Sequence, residues 1–329
     1  MQHTRLGRTG LQVSRLCLGT MTFGLQCDER TSVAILDAAA AGGVTFLDTA
    51  DVYPLGGTFD TVGRTEEIVG RWLKGRRHEF VLATKCHFPT SARPWDRGNS
   101  RKHVLDALDA SLRRLGTHYV DLYQLHAPDP ETPIDETLRA LEDAVRAGKV
   151  RYAGCSNFLA YQVARALGRS EALGVARFDS VQPRYNLLFR EIERELLPLC
   201  LEEGIGVIPY NPIAGGLLSG KHAPGQPPEG SRFTLGTAAQ RYQDRYWHED
   251  MFEVVGRLRP LAAEAGLDLV TMAVRWVMAH PAVTAPIVGA SRPEQLGPAL
   301  AAAEAPLPAD LKARLDELTA AYRRGDTGR

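Results

Sequence analysis

Phe46-Leu47-Asp48-Thr49-Ala50-Asp51-Val52-Tyr53 is the stretch on which the fold turns. Val44, Phe46 and Leu47 have the character of a buried strand. The run then breaks into an acid, a hydroxyl, a second acid and a tyrosine. In proteins built of alternating strands and helices, the loops leaving the carboxyl ends of the strands collect the reactive groups. Asp48 and Tyr53 are therefore candidate catalytic residues. Alone, the segment reads equally well as a polar turn beside a surface tyrosine, so the decision rests on what surrounds it.

Upstream, residues 3–14 read as a hairpin turning at Gly7 and Thr9-Gly10, and 16–20 as a first buried strand. A helix is expected over 32–41, stopped by Gly42-Gly43, before the strand over 44–47. Downstream the pattern repeats. Helices are expected over 65–73, from a Ser100 cap through Leu115, and over 133–147, 160–167 and 191–202, with strands over 80–84, 120–125, 150–154, 178–182 and 205–208. This alternation signifies a parallel sheet with right-handed crossovers. Residues 222–249, rich in Pro, Gly, Arg and aromatics, interrupt the rhythm as a loop of the length usual for a lid. Helices over 251–264 and 269–278, an eighth strand over 285–288, an eighth helix, a terminal helix over 309–323 and a polar tail complete the chain. Eight strands with no linker between them predict a (β/α)8 TIM barrel as one domain over 1–329, with an N-terminal β-hairpin and long loops on its C-terminal face. The first strand carries no GxGxxG, so the Rossmann dinucleotide fingerprint is absent.

The composition, 44% hydrophobic and 24% charged, suits a soluble protein with a large core. Thirty-nine basic and 39 acidic residues cancel, which argues against nucleic-acid or anionic-membrane partners. Five cysteines (Cys17, Cys27, Cys86, Cys155, Cys200) fall in no CxxC or metal-ligand pattern, so free thiols and no metal site are expected. The stretch Met1-Gln2-His3-Thr4-Arg5 lacks the apolar core of a signal peptide, and no apolar run approaches a membrane span. A cytoplasmic protein is expected, and a homo-oligomer is compatible with this composition.

The ends of two later strands decide the first question. One is Thr84-Lys85-Cys86, placing an amine at the barrel mouth; the next is Leu125-His126-Ala127-Pro128. A buried lysine needs a paired charge, and Asp48 is suited to supply it. With these residues in place the chain resembles the aldo-keto reductases over essentially its full length. The resemblance is carried by Phe46-Leu47-Asp48-Thr49-Ala50, Asp51-Val52-Tyr53, Glu66-Glu67-Ile68-Val69-Gly70, Ala83-Thr84-Lys85, Asp121-Leu122-Tyr123-Gln124-Leu125-His126, Gly148-Lys149-Val150-Arg151 and Gly154-Cys155-Ser156-Asn157-Phe158. It implies a barrel with a catalytic tetrad of Asp48, Tyr53, Lys85 and His126. A phenol with an ordinary pKa near 10 is a reluctant proton donor. Cationic Lys85 is expected to lower the pKa of Tyr53, Asp48 to hold Lys85 charged, and neutral His126 to aim a carbonyl oxygen.

The resemblance also assigns a nicotinamide cofactor. Ser156, Asn157 and Gln182 are implied to hold its carboxamide, and Tyr210, in Pro209-Tyr210-Asn211-Pro212, to stack on its ring. Gly215 to Lys221 matches GxxxxGK, but His222 stands where a phosphate loop needs Ser or Thr, so a pyrophosphate-binding loop is the better reading. Gly289-Ala290-Ser291-Arg292-Pro293-Glu294-Gln295-Leu296 resembles the adenosine end, and Ser291 with Arg292 favours NADP(H). Relatives continue with an acid and an asparagine where this chain has Gly297-Pro298-Ala299. The other implied contacts are Gly19, Thr20, Met21, Asp48, Asn211, Pro212, Ile213, Leu217, Arg232 and Gln295. NADPH-dependent reduction of an aldehyde, ketone or keto-sugar is the expected activity. A cofactor-binding regulatory subunit, like potassium-channel β subunits, and an elimination or isomerisation stay open as alternatives. The small-molecule substrate is expected to meet loops 24–30, 88–97 and 222–249, with Phe88, Trp95, Phe233, Tyr246 and Trp247 as candidate lining.

Overall fold

A computed structural model describes residues 1–323, so the expected polar tail lies outside the described residues. Two short strands, β1 (His3–Arg5) and β2 (Gln12–Ser14), pair antiparallel. Gly7 makes the turn between them at φ 55°, a region that favours glycine.

Eight strands follow: β3 (Cys17–Gly19), β4 (Phe46–Asp48), β5 (Val81–Cys86), β6 (Val120–Leu125), β7 (Val150–Ser156), β8 (Phe178–Gln182), β9 (Gly206–Val207) and β10 (Ile287–Val288). They pair in parallel in chain order, and β10 returns to pair with β3. The circle closes where Thr284 N–H donates to Val207 O (2.8 Å) and Ile287 N–H to Pro209 O (2.8 Å). The result is a (β/α)8 barrel.

Helices α1 (Glu29–Ala41), α2 (Arg64–Leu73), α3 (Arg101–Leu115), α4 (Ile134–Arg146), α5 (Ala160–Leu173) and α6 (Leu196–Glu203) link the first strands. The later ones are α7 (Ala239–Tyr246), α8 (Glu249–Glu264), α9 (Leu269–Met278), α10 (Gly297–Ala302) and α11 (Ala309–Leu318). Their starts follow from local chemistry: the Asp28 carboxylate accepts from Thr31 N–H (2.7 Å), and the Ser100 hydroxyl from His103 N–H (3.3 Å).

Side chains alternate along a strand, so every second residue enters the lumen. Cys17, Phe46, Ala83, Leu122, Ile208, Ala285 and Ile287 make an apolar layer there, stoppered from below by Leu6 and Val13 of the hairpin. Asp48, Lys85 and Gln124 stand two residues beyond Phe46, Ala83 and Leu122, and so point into the same lumen nearer the mouth. The fold therefore carries polar groups on an apolar floor.

The stopper depends on Gly206. A Cβ there would stand 2.7 Å from Leu6 Cδ1 and 2.9 Å from the Gly7 nitrogen. Gly206→Ala is expected to push the hairpin off the barrel and to lower stability by about 1–3 kcal/mol in urea unfolding. An unchanged midpoint would show that the hairpin is not packed this way.

Several boundaries differ from the sequence expectation. Strands β5 and β7 run on to Cys86 and Ser156, because backbone pairing with β6 and β8 continues past the apolar run. Helix α5 passes through Gly168, where an added Cβ would meet nothing, and ends at left-handed Gly174. The helix expected over 191–202 is a 3-10 turn (Glu191–Glu193) followed by α6. The eighth helix is a 3-10 turn (Pro293–Leu296) plus short α10, and the terminal helix stops at Leu318 before another such turn. The largest departure is residues 222–249, expected as loop, which contain α7. Ala238, Tyr242 and Tyr246 recur at four-residue spacing and are buried on one face.

Candidate active site

Backbone pairing carries on beyond β4. Thr49 N–H donates to Ala83 O (2.9 Å) and Asp51 N–H to Lys85 O (3.0 Å), which holds the Asp48 and Lys85 side chains at fixed register. The loop then turns back, with Gly63 N–H donating to Tyr53 O (3.1 Å) and Leu55 N–H to Met21 O (2.9 Å). These bonds bring Tyr53 over Lys85. His126 is pinned at the next strand end by its N–H donating to Cys86 O (2.8 Å).

Lys85 is fully buried and Asp48 is 2% exposed, and Lys85 Nζ donates to Asp48 Oδ1 at 2.5 Å. Nζ also donates to Thr49 O (2.8 Å) and reaches the Tyr53 hydroxyl at 3.4 Å. The second carboxylate oxygen of Asp48 accepts from Gln182 Nε2 (2.9 Å) and Gln124 Nε2 (3.1 Å). The buried charge pair is thus hydrogen-bonded on all sides, as such a pair must be to persist. Burial alone would lower the Lys85 pKa, but Asp48 and Tyr53 oppose it and the net shift is upward, so Lys85 is an ammonium.

The expected lowering of Tyr53 is not what the site shows. Burial, the largest influence, penalises the phenolate; Lys85 opposes it, but the Tyr53 pKa ends above its ordinary value. Much of the Lys85 charge is already answered by Asp48 at the shorter distance. A hydroxyl that must donate its proton loses activity as pH rises through its pKa, and a raised value moves that loss upward. The rate constant kcat/KM for a neutral aldehyde is expected to be flat from about pH 6 to 9 and to fall only above about 10. A basic limb with a midpoint below about 9 would show that Lys85 outweighs burial.

His126 is 9% exposed, and its pKa lies well below 6.5, chiefly through burial and then through Lys85, His87 and Arg241. The ring is neutral. Its Nδ1 has no partner among the described residues. A buried orphan donor costs more than a bare acceptor, which puts the proton on Nε2, where it can meet a carbonyl oxygen. The ring packs edge-on against Tyr53 (centroids 5.7 Å apart) and Phe88 (4.8 Å).

Around the rim, Tyr210 donates to Asn157 Oδ1 (2.8 Å), and Asn157 Nδ2 donates to His126 O (2.8 Å) and Ser156 Oγ (3.0 Å). Ser156 Oγ donates to Gln182 O (2.8 Å). Asn157 takes φ 63°, a conformation asparagine tolerates. These groups brace one another. Gln182 stands at the same mouth, where its Nε2 donates to Asp48 Oδ2 (2.9 Å) and Gln124 Oε1 (3.2 Å). Gln124 was not expected in the site, although its parity with His126, the residue just past β6, was the available signal.

Next to this rim the backbone coils through Asn211, Ala214, Gly215 and Gly216 at φ 57°, 51°, 68° and 107°, and Gly215 lies so close to Tyr242 that a Cβ would meet its ring at 2.8 Å. Ala214 N–H donates to Asn211 O (2.9 Å) and Gly216 N–H to Ile213 O (2.9 Å), so the coil is held by its own backbone. Asn211 Nδ2 and Arg232 Nη1 are buried without partners among the described residues. Both fit a cofactor that supplies polar acceptors and negative charge. Pro212 and Leu217 are buried, Ile213 is half-buried and Lys221 is exposed. Gly19 closes on β10 (an added Cβ would be 2.6 Å from Ile287), Thr20 Oγ1 donates to Asp48 O (2.9 Å), and Met21 O is the anchor of Leu55. Gly289 follows β10, Gln295 Oε1 accepts from Ser291 N–H (2.8 Å) and Ser291 Oγ (3.2 Å), and Arg292 is exposed.

Of the aromatics expected to line a pocket, Phe88 reaches His126, whereas Phe233 and Tyr246 are fully buried in the core. Trp247 packs on Phe233 (4.5 Å) and Phe252 (4.9 Å), and Trp95 is half exposed. A cleft of about 480 Å³ between His222, Phe252, Glu253 and Arg259 contains no tetrad residue.

The model of the aldo/keto reductase family matches residues 15–320. The chain belongs to the aldo/keto reductase family. Among relatives of this aldo/keto reductase, an uncharacterized oxidoreductase, YrpG, of Bacillus subtilis (strain 168) is 39% identical over 97% of this chain and 96% of its own. A probable voltage-gated potassium channel subunit beta of Arabidopsis thaliana is 38% identical over 90% of this chain and 89% of its own. The versiconal hemiacetal acetate reductase of Aspergillus parasiticus is 34% identical over 93% and 94%. Family and relatives make this aldo/keto reductase an oxidoreductase of the carbonyl-reducing kind. All five of its cysteines are buried and unpaired, and no helix of the described residues is long and apolar enough to cross a membrane.

Proposed function

We propose that this protein reduces an aldehyde, ketone or keto-sugar to the alcohol with NADPH, with Tyr53 giving the proton. The reading rests on one observation above all: Tyr53, Lys85, Asp48 and His126 converge at one mouth around a buried ion pair. When bound, the reduced nicotinamide supplies a hydride to the carbonyl carbon and is itself oxidised. The carbonyl π electrons pass to oxygen, the Tyr53 O–H bond breaks, and its proton forms the new alcohol O–H. Lys85 then faces the phenolate, and a solvent proton restores the phenol. His126 Nε2–H holds the oxygen in place while charge gathers on it. Ser156, Asn157 and Gln182 would face the carboxamide, Tyr210 the ring, the 214–221 coil and Arg232 the phosphates, and Ser291 with Arg292 the adenosine end. Arg292, with Ser291, at the adenosine end favours NADP, whose 2′-phosphate NAD lacks.

NADPH fluorescence titration beside NADH tests the cofactor, with NADPH expected to bind at least about tenfold tighter; equal affinities would remove the preference. Oxidation of NADPH on adding 4-nitrobenzaldehyde, with the alcohol as product, tests the reaction. The channel-subunit relative supports a second reading, a regulatory subunit that binds the cofactor and turns over little. Binding without turnover of any carbonyl would favour it, and product without net cofactor loss would favour elimination or isomerisation. Five buried free thiols support a reducing, cytoplasmic location.

A further inference from the structure

Of the four tetrad side chains, that of His126 alone takes no hydrogen bond among the described residues. Asp48, Lys85 and Tyr53 hold one another, whereas His126 is pinned only through its backbone N–H. The plane of its imidazole decides where Nε2–H points. Packing must set that plane, and two rings do so edge-on: Tyr53, with centroids 5.7 Å apart, and Phe88, at 4.8 Å. Tyr53 is fixed by the turn around it. Phe88 belongs to the long loop after β5, so its place needs a separate cause.

Asn99, at the far end of that loop and 2% exposed, supplies one. Its Nδ2 donates to the oxygen of Ala127 (2.9 Å), the residue next to His126 in the chain. With the amide turned that way, Oδ1 faces His87 and accepts from its Nδ1–H (2.9 Å). His87 precedes Phe88 and packs edge-on against it (5.1 Å). The contacts close a ring that runs from His126 through Ala127, Asn99, His87 and Phe88 back to His126. Further bonds root this ring in the fold: Gly98 N–H donates to His87 O (2.7 Å), Asn99 N–H to Asp129 Oδ2 (2.8 Å), and the Thr137 hydroxyl of α4 to Asn99 O (2.8 Å). Ser100, the next residue, caps α3.

We propose that Asn99 is a positioning residue for carbonyl reduction: by bridging the loops after β5 and β6 it holds the Phe88 ring against His126 and so fixes the direction of the imidazole N–H. The inference deepens the proposed reduction and rests on it for the effect on rate, but not for the placement of His126. A group that aims a substrate atom is only as well placed as the residues that lock its own rotamer. Asn99 bonds to no side chain of the tetrad, so its replacement acts through Phe88.

The test is a double-mutant cycle of Asn99→Ala and Phe88→Leu in the full chain, with two readouts. Single-turnover oxidation of NADPH with saturating 4-nitrobenzaldehyde follows the chemical step. The imidazole cross-peaks of His126 in a carbon–proton NMR spectrum, assigned with His126→Gln, follow the ring without substrate or turnover. Each single variant is expected to slow the chemical step by about tenfold with NADPH affinity unchanged. The double variant should be no slower than either, as for residues that act as one unit, and all three should shift the His126 cross-peaks in the same direction. Slowing that multiplies in the double variant overturns the proposal, as does an Asn99→Ala protein whose His126 cross-peaks match wild type, whatever its stability in urea. If no carbonyl is reduced while the cross-peaks shift together, the brace stands and the reductase reading falls. His87→Leu, at a half-buried position, breaks the bond to Asn99 Oδ1 without touching Asn99 itself; should Asn99→Ala not fold, the same slowing and shift are required of this variant, and their absence overturns the proposal.

Discussion

Tyr53→Phe is expected to reduce 4-nitrobenzaldehyde about 10²–10⁴-fold more slowly than wild type, the range for loss of a positioned proton donor. That equals about 3–5 kcal/mol of barrier. The substitution removes one oxygen. The phenyl ring keeps its edge-on packing with His126, and Lys85 keeps Asp48 and Thr49 O as partners. Stability and NADPH affinity should therefore stay close to wild type. His126 cannot take over as the acid, because burial and the charges around it hold it neutral. Single-turnover NADPH oxidation with cofactor and aldehyde saturating isolates the chemical step. A Tyr53→Phe variant within about tenfold of wild type would mean that water, not Tyr53, delivers the proton.

Much of this site was legible because strands alternate. Once the strand ends near Asp48, Lys85 and His126 are read, parity puts their side chains at one mouth. Gln124 obeyed the same parity and was passed over, since an amide between Tyr123 and Leu125 announces no chemistry until the Asp48 carboxylate is seen to need donors. Helix α7 was hidden by its polarity: in Ala-Gln-Arg-Tyr-Gln-Asp-Arg-Tyr only Tyr242 and Tyr246, with Ala238 before them, mark the buried face. The sign of the Tyr53 shift was beyond sequence reasoning for a different reason. Sequence names the neighbouring ammonium, but whether it or burial wins depends on distances and on the claim Asp48 already has on Lys85.

Asp48→Asn is expected to cost about 3–5 kcal/mol in urea unfolding at pH 7, the range for stranding one member of a buried pair. Lys85 is fully buried and would lose its one charged partner, keeping Thr49 O, the Tyr53 hydroxyl and a neutral amide oxygen in place of the carboxylate. The penalty has a ceiling, because the ammonium can escape by losing its proton, and an ordinary lysine pays about 4–5 kcal/mol for that at pH 7. This makes the loss pH-dependent with a definite sign. In wild type the folded Lys85 pKa is raised, so both folded and unfolded chains carry the proton between pH 7 and 9 and stability gains no slope from this residue. In the variant the folded chain has shed the proton while the unfolded chain still binds it. Stability then rises with pH by about 1.4 kcal/mol per unit, so the gap to wild type should narrow by about 3 kcal/mol between pH 7 and 9. Lys85→Met added to Asp48→Asn removes the stranded charge, and should recover part of the pH 7 loss and abolish the slope. A gap that is the same at pH 7 and 9 would show that Lys85 stays charged without Asp48, and that the ion pair is not what holds the floor of this site together.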